Sequence, residues 1–191
     1  MIILVIGVLL VALTHLAAAF PAVKQRLKER IGPRAFGPVF GFVSLIGIVI
    51  IVIGWRLSDV VTVYDPPVWG RHANFAFTLL AFLCLGIFLF RGSLRQRLRF
   101  PMAIAAMLWA TGHLLANGDQ RSLILFGGFL VYGAAHLAIG IANGVRPSPE
   151  VRAGHDLMSI LAGVALYGVM TQLHTALIGV PVFDISAFRS G

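Results

Sequence analysis

Residues 2–20 read IILVIGVLLVALTHLAAAF, nineteen positions without a single Asp, Glu, Lys or Arg. A helix needs about 20 mostly apolar residues to cross the hydrocarbon layer of a bilayer, and this stretch supplies them. Stretches 35–54, 73–90, 101–116, 122–142 and 157–180 repeat the pattern, again with no charged side chain. Across all 191 residues the chain is 59% apolar and 12% charged, with a mean hydropathy of +0.93. A soluble domain is about 45–50% apolar and about 25% charged, and a disordered chain is less apolar still. Because lipid offers backbone N–H and C=O groups no partners, the spans must be helices. The sequence therefore predicts an all-α integral membrane protein, a bundle of six transmembrane helices in one domain (residues 1–183) with a short polar tail (184–191).

The charges between the spans orient the bundle. Lys24, Arg26, Lys28, Arg30 and Arg34 follow the first span, Arg91, Arg95, Arg97 and Arg99 the third, and Arg146 and Arg152 the fifth. These eleven basic residues fall on one side, against only Arg56, Arg71, Arg121 and Arg189 on the other. The positive-inside rule then places the odd loops in the cytoplasm and both termini on the periplasmic side of a bacterial inner membrane. The same distribution accounts for the formal charge of +8 as a topological and lipid-headgroup feature, so the bilayer is the expected partner and nucleic acid is not. The basic residues follow the first apolar run rather than precede it, which reads as a retained span and not a cleaved signal. Cys84, the single cysteine, allows no internal disulfide and lies in an apolar run where packing is its expected role. Residues 117–120 are short enough to make spans four and five a tight hairpin. Pro66 and Pro67 stiffen the loop after span two. Gly37-xxx-Gly41 and Gly140-xxx-Gly144 are candidate close-packing pairs.

With no carboxylate or ammonium inside a span, the histidines carry whatever chemistry the bundle has, since an ionisable group at membrane depth is a functional-site candidate. His15, His113 and His136 lie within spans one, four and five. His72, His155 and His174 lie toward span ends. At 1.5 Å per residue, His15 and His136 stand roughly 10 Å from the cytoplasmic ends of their helices and His113 roughly 18 Å. Trp109, His113 and Asn117 form one stripe at i, i+4, i+8, as do Tyr132, His136 and Gly140; Tyr167, Thr171 and His174 share a face of span six. Imidazoles, aromatic rings and small residues turned toward a bundle core are what a cofactor site between helices is made of. Two neutral imidazoles in an apolar bundle suit haem, held through its iron by axial histidines, with His15/His113 and His15/His136 as the competing pairs. Zinc would need further ligands that no cysteine or carboxylate provides at that depth. A propionate anchor is available from Arg71 and His72 outside, or from Arg34 and Arg99 inside. The competing role for each histidine is a structural hydrogen bond to a neighbouring helix. The P-loop, GxSxG, HExxH and CxxCH motifs do not occur, which removes covalent haem and the common hydrolases.

Several strings together resemble the NnrU family of bacterial membrane proteins. They are Thr14–His15, YDPPVWGRH from Tyr64 to His72, Arg99–Phe100–Pro101, WATGHLLANGD from Trp109 to Asp119, Gly154–His155–Asp156, and His174 followed by Ile178, Gly179, Val180 and Pro181. The resemblance spans nearly the whole chain. It implies a role in nitrite and nitric oxide reduction, that is, in denitrification, as a redox, nitric oxide-sensing or assembly factor whose partners are a nitrogen-oxide reductase or its assembly proteins. The strings are more distantly similar to the plastid zeta-carotene isomerase, a haem b enzyme that converts a cis double bond to trans. That likeness implies haem b with His15 and His113 on the iron; the helix faces and loops read above add His136 as alternative or neighbour, and Trp109, Asn117, Arg71 and His72 around it. This chain has Ala110 where the isomerase has an exchangeable cysteine ligand, and Phe100 where it has the histidine of an Arg-His-Pro motif. A redox ligand switch is thus not expected. A haem-dependent isomerase of an apolar polyene and a haem-free scaffold for a reductase are the two alternative functions.

Overall fold

A computed structural model describes residues 1–182; the polar tail 184–191, with Arg189, lies outside the described residues. Eight helices account for most of it: α1 (Ile2–Ala19), α2 (Pro21–Ile31), α3 (Pro33–Arg56), α4 (Gly70–Leu89), α5 (Ser93–Leu98), α6 (Pro101–Ala116), α7 (Gln120–Ala142) and α8 (His155–Ile178). Among the described residues, α1, α3, α4, α7 and α8 are long and apolar enough to cross a membrane, and α6 is a shorter apolar helix of 16 residues. The chain is accordingly a multi-pass, all-helical membrane protein. Its lipid-facing surface is apolar, with Leu13, Phe42, Leu45 and Val131 all more than half exposed, as a bilayer demands and water would not tolerate.

Local chemistry sets the helix ends. Pro21, Pro33 and Pro101 each occupy the first turn of their helix, where the missing N–H costs nothing and the fixed φ is already helical. The Asp119 carboxylate accepts from the Ser122 backbone N–H at 3.1 Å and from its hydroxyl at 2.6 Å, which starts α7 and fixes the hairpin from α6. Gly179, at φ +84, ends α8 in the left-handed conformation that lets the chain fold back.

Two regions expected as loops are helical. The basic segment after the first span forms α2, whose Val23, Leu27 and Ile31 recur at four-residue spacing as one apolar stripe. Its lysines and arginines flank that stripe on both sides, with Gln25 and Glu29 on the opposite face, the arrangement of a helix lying in the membrane interface. Arg95 and Arg97 likewise lie on α5. The Asp156 carboxylate accepts from the Leu94 N–H at 2.9 Å and the Ser93 hydroxyl at 2.5 Å, and the Arg91 N–H donates to His155 Nδ1 at 3.1 Å. The Gly154–His155–Asp156 string is therefore a clasp that caps α5 and ties it to the start of α8. Beside it Glu150 meets Arg91 at 2.5 Å and Arg152 at 2.9 Å. The hydrogen bond from Arg152 is the main reason its carboxyl is held below the usual range.

The apolar helices pack in the order α3–α1–α7–α6–α4–α8, and the two ends of this arc, α3 and α8, touch only lightly. The α1/α3 contact is made by Gly7, Gly47 and Gly54, each of which faces the partner helix at a distance no side chain could occupy. Gly86 and Gly163 do the same between α4 and α8. The expected pair Gly37/Gly41 faces open space, and Gly140 meets only the Phe100 ring while Gly144 meets nothing, so the close approaches rest on different glycines from those the spacing picked out. One core of Leu4, Val8, Val11, Ile51, Trp55, Ala110, Leu125 and Phe126 joins α1, α3, α6 and α7.

Candidate functional site

A cavity of about 460 Å³ opens in the half of the bundle opposite the basic loops. That volume falls within the ~300–1,000 Å³ of small-molecule and cofactor sites. Ile51, Val52 and Trp55 of α3 wall it with Leu125 and Phe126 of α7, Trp109, His113 and Asn117 of α6, Arg71, Asn74 and Thr78 of α4, and Tyr167, Thr171 and His174 of α8. Every one of these helices contributes its end remote from the basic loops, so the alternation of the spans is what gathers them. The light α3–α8 seam is the thinnest part of the wall, bridged at its far end by the Arg56 guanidinium, which donates to the carbonyls of Ala176 and Leu177.

His113 is the most constrained imidazole of the cavity. Its ring stacks on Phe126 with centroids 4.4 Å apart and leans on Trp109 at 5.1 Å. Its Nδ1 lies 2.9 Å from the Trp109 carbonyl. A carbonyl only accepts, so Nδ1 carries the proton and Nε2 keeps a free lone pair. A metal-ligating histidine is oriented in the same way, through a carbonyl on its other nitrogen. The turn below His113 is fixed from outside: the Tyr64 hydroxyl donates to the carbonyls of Leu114 and Asn117. The Val63 and Tyr64 N–H groups donate to Gly118, and Gln120 N–H to Val61. The YDPPVWGRH and WATGHLLANGD strings are thus two sides of one contact.

Tyr64 yields a direct test. Burial, reinforced by the Asp119 charge, raises its phenol above the usual value of 10.0. A raised folded value means that the hydroxyl's contribution is complete below pH ~10 and is lost as pH rises through the folded value. Tyr64→Phe removes the one hydroxyl hydrogen that the two carbonyls share and is expected to cost about 1–3 kcal/mol. In thermal unfolding the gap between wild type and Tyr64→Phe should close as pH rises above 10. A gap that stays constant with pH would refute this role.

Of the residues singled out by sequence, His113, Trp109, Asn117 and Arg71 come together at the cavity. His72 is exposed on the first turn of α4 and outside it. His15 and His136 occupy the other half of the bundle. His15 Nδ1 lies 2.8 Å from the Val11 carbonyl, and its ring meets Phe40 at 4.8 Å and Tyr132 at 6.0 Å. His136 Nδ1 lies 3.3 Å from the Tyr132 hydroxyl. His113 is level with Phe126, Trp55 and hence Leu4. From Leu4 to His15 is eleven residues of α1, about 16 Å along the axis, and α1 and α6 are not packed neighbours. An aromatic file, Trp109–Phe129–Tyr132, fills the interval, with centroids 5.4 and 6.0 Å apart.

His174, which sequence placed only on a face of α8 near a span end, shares the cavity with His113. Its Nδ1 is 2.7 Å from the Val180 carbonyl, and Arg71 Nη2 donates to Val182 at 2.9 Å. The segment after Gly179 is thereby folded back over the cavity. Trp55 adds a second feature absent from the sequence reading: its ring is buried and its Nε1–H has no hydrogen-bond partner among the described residues. A buried donor left unmatched costs about 1–3 kcal/mol, which a ligand oxygen in the cavity would relieve.

A family model described as NnrU protein matches residues 3–182. No curated protein and no solved structure matches the chain.

Proposed function

The chain belongs to the NnrU family, and we propose that it is a haem b-binding protein of the bacterial inner membrane serving nitrite and nitric oxide metabolism as a redox, nitric oxide-sensing or assembly factor. In this reading the six apolar helices all span the bilayer, the basic end faces the cytoplasm and both termini face the periplasm. The supporting observation is the cavity with the free Nε2 of His113 in its wall. The residues present suit the group. Stacked aromatic rings give flat apolar walls, Arg71 stands at the rim to pair with a propionate, and the unmatched Trp55 N–H offers a donor to an oxygen. Bound haem b would supply a one-electron couple and, with an open axial position, a site for a diatomic gas. The protein's own part is to hold the iron through His113, to orient the ring through Trp109 and Phe126, and to keep water from it. The denitrification role rests on the family resemblance.

One observation favours a second reading, a haem-dependent isomerase of an apolar polyene: the seam between α3 and α8 offers such a substrate a path from the lipid to the cavity. An open axial position is required for it, so a haem that does not bind CO in either oxidation state would argue against it. The deciding experiment for the main reading is an absorption spectrum of detergent-purified protein, oxidised and reduced, with a pyridine haemochrome assay. Near-stoichiometric haem b is expected. A colourless preparation from haem-replete cells would overturn the proposal and leave a scaffold for a reductase.

A further inference from the structure

Resting on the haem reading of the same cavity, the geometry points to His174 as the second iron ligand: we propose that His113 and His174, rather than His15, form the axial pair. Among the described residues these are the two histidines that line the cavity. Each has Nδ1 committed to a backbone carbonyl, His113 to Trp109 at 2.9 Å and His174 to Val180 at 2.7 Å. Both therefore present Nε2 as an uncommitted lone pair, the tautomer an iron ligand needs. The packing on α4 gives both one depth: Gly112 of α6 faces Asn74 and Phe77, and Gly163 of α8 faces Leu83, so counted along each helix His113 and His174 both fall beside the first turn of α4, level to within about 2 Å.

The competing pair does not share that depth. Two imidazoles on one iron must reach the same ring from its two faces, while His15 sits about 16 Å further along the bundle with the aromatic file between. Rotating a side chain cannot cover that distance, and the close-packed glycine seam of α1 on α3 prevents the helix from sliding. Arg71 completes the argument, because it both lines the cavity and anchors Val182. The returning segment 180–182 is thereby fixed next to the histidine it orients.

The experiment is optical and electron paramagnetic resonance spectroscopy of the purified full chain carrying haem. Wild type is expected to show the low-spin signature of two imidazoles. His174→Ala should convert the haem to a high-spin, five-coordinate form that binds CO, and added imidazole should restore the low-spin form. His174→Met should keep it low-spin with a raised potential, since a thioether favours the reduced iron. His15→Ala should leave the spectrum as in wild type. A haem that is five-coordinate in wild type overturns the assignment, and so does low-spin bis-imidazole haem surviving in His174→Ala but lost in His15→Ala. A colourless wild type would instead bring down the haem reading itself, which separates the two failures.

Discussion

His113→Ala should abolish the haem signal while the protein still inserts into the membrane and elutes as wild type does in detergent. The loss is expected to be near complete rather than graded, because every support of the site converges on this side chain. The Trp109 carbonyl sets its tautomer, the Phe126 ring fixes its plane, and the Tyr64 hydroxyl holds the turn that carries it. Removing the imidazole would delete the proposed iron bond and leave a void beside Phe126 and Trp109. Stability should fall less than the cofactor does. The ring is mostly buried, but the neighbouring core of Leu4, Val8, Trp55 and Phe126 stays in place. Two controls give the test its edge. His136→Ala alters a group in the opposite half of the bundle and should retain full haem content. Trp109→Phe keeps an aromatic ring against Phe126 and should retain haem with a shifted spectrum. If His113→Ala binds haem with an unaltered spectrum, the cavity is not the haem site.

The class of the protein and the boundaries of its apolar helices were legible because both rest on a local quantity, the hydropathy of about 20 consecutive residues. The stretch 101–116 matches α6 end for end. Proline fixes where it can start, and Asn117 with Gly118 fixes where it must stop. The basic segment after α1 was harder to read. Five cations in eleven positions look like a topogenic loop, and only the four-residue recurrence of Val23, Leu27 and Ile31 marks the helix. The histidines divided along the same line. That they lay inside spans was readable, as was the stripe Trp109, His113, Asn117. Which of them would meet depended on the order of helices around the bundle, and periodicity within a helix says nothing about that. His174 lies near a span end, and the end of α8 is where the cavity is. Depth counted separately from each cytoplasmic end already put His113 deeper than His15 and His136. The same count puts His174 deeper still, roughly 26 Å from its cytoplasmic end, in the half of the bundle away from His15 and His136.

The bundle's packing logic explains why the cavity sits where it does. Glycines draw α1 onto α3 and α4 onto α8 until the backbones nearly touch, which leaves α3 and α8 as the free edges of the arc. Space remains only between those edges and α6, and there the largest rings, Trp55, Trp109, Phe126 and Tyr167, stand around the void. The other half, beneath Tyr132, closes on His15 and His136 with direct ring contacts. An apolar cavity with converging polar groups is costly to maintain in a bundle that could collapse around it. A ligand in it would offset that cost.

Gly54→Leu should be the most damaging single substitution for the fold, and comparison with Gly37→Leu shows why. Both glycines lie in α3, and both have apolar neighbours in sequence. A Cβ at Gly54 would lie 2.6 Å from the Leu4 Cα and 2.9 Å from the Ile3 carbonyl carbon. These are backbone atoms of α1, with no flexible side-chain end to yield. α1 must therefore move bodily away, opening the contact at which Leu4 is completely buried. Overpacking ordinarily costs about 1–3 kcal/mol, but here the rigid backbone contact and the uncovering of the core add to one another. The cost should exceed that range. In lipid such contacts are held by packing alone, since burial from water supplies no driving force between helices. At Gly37 a Cβ meets nothing within 4 Å, so Leu there faces lipid and gains helix propensity of up to about 1 kcal/mol. Thermal unfolding in a single detergent, read by helix content, should show Gly54→Leu strongly destabilised or recovered only as aggregate, and Gly37→Leu equal to or above wild type. Because Trp55 is the next residue, the Gly54 variant should also lose haem. Equal behaviour of the two variants would mean that α1 and α3 do not meet through this seam, and the placement of His15 a full 16 Å below the cavity would fall with it.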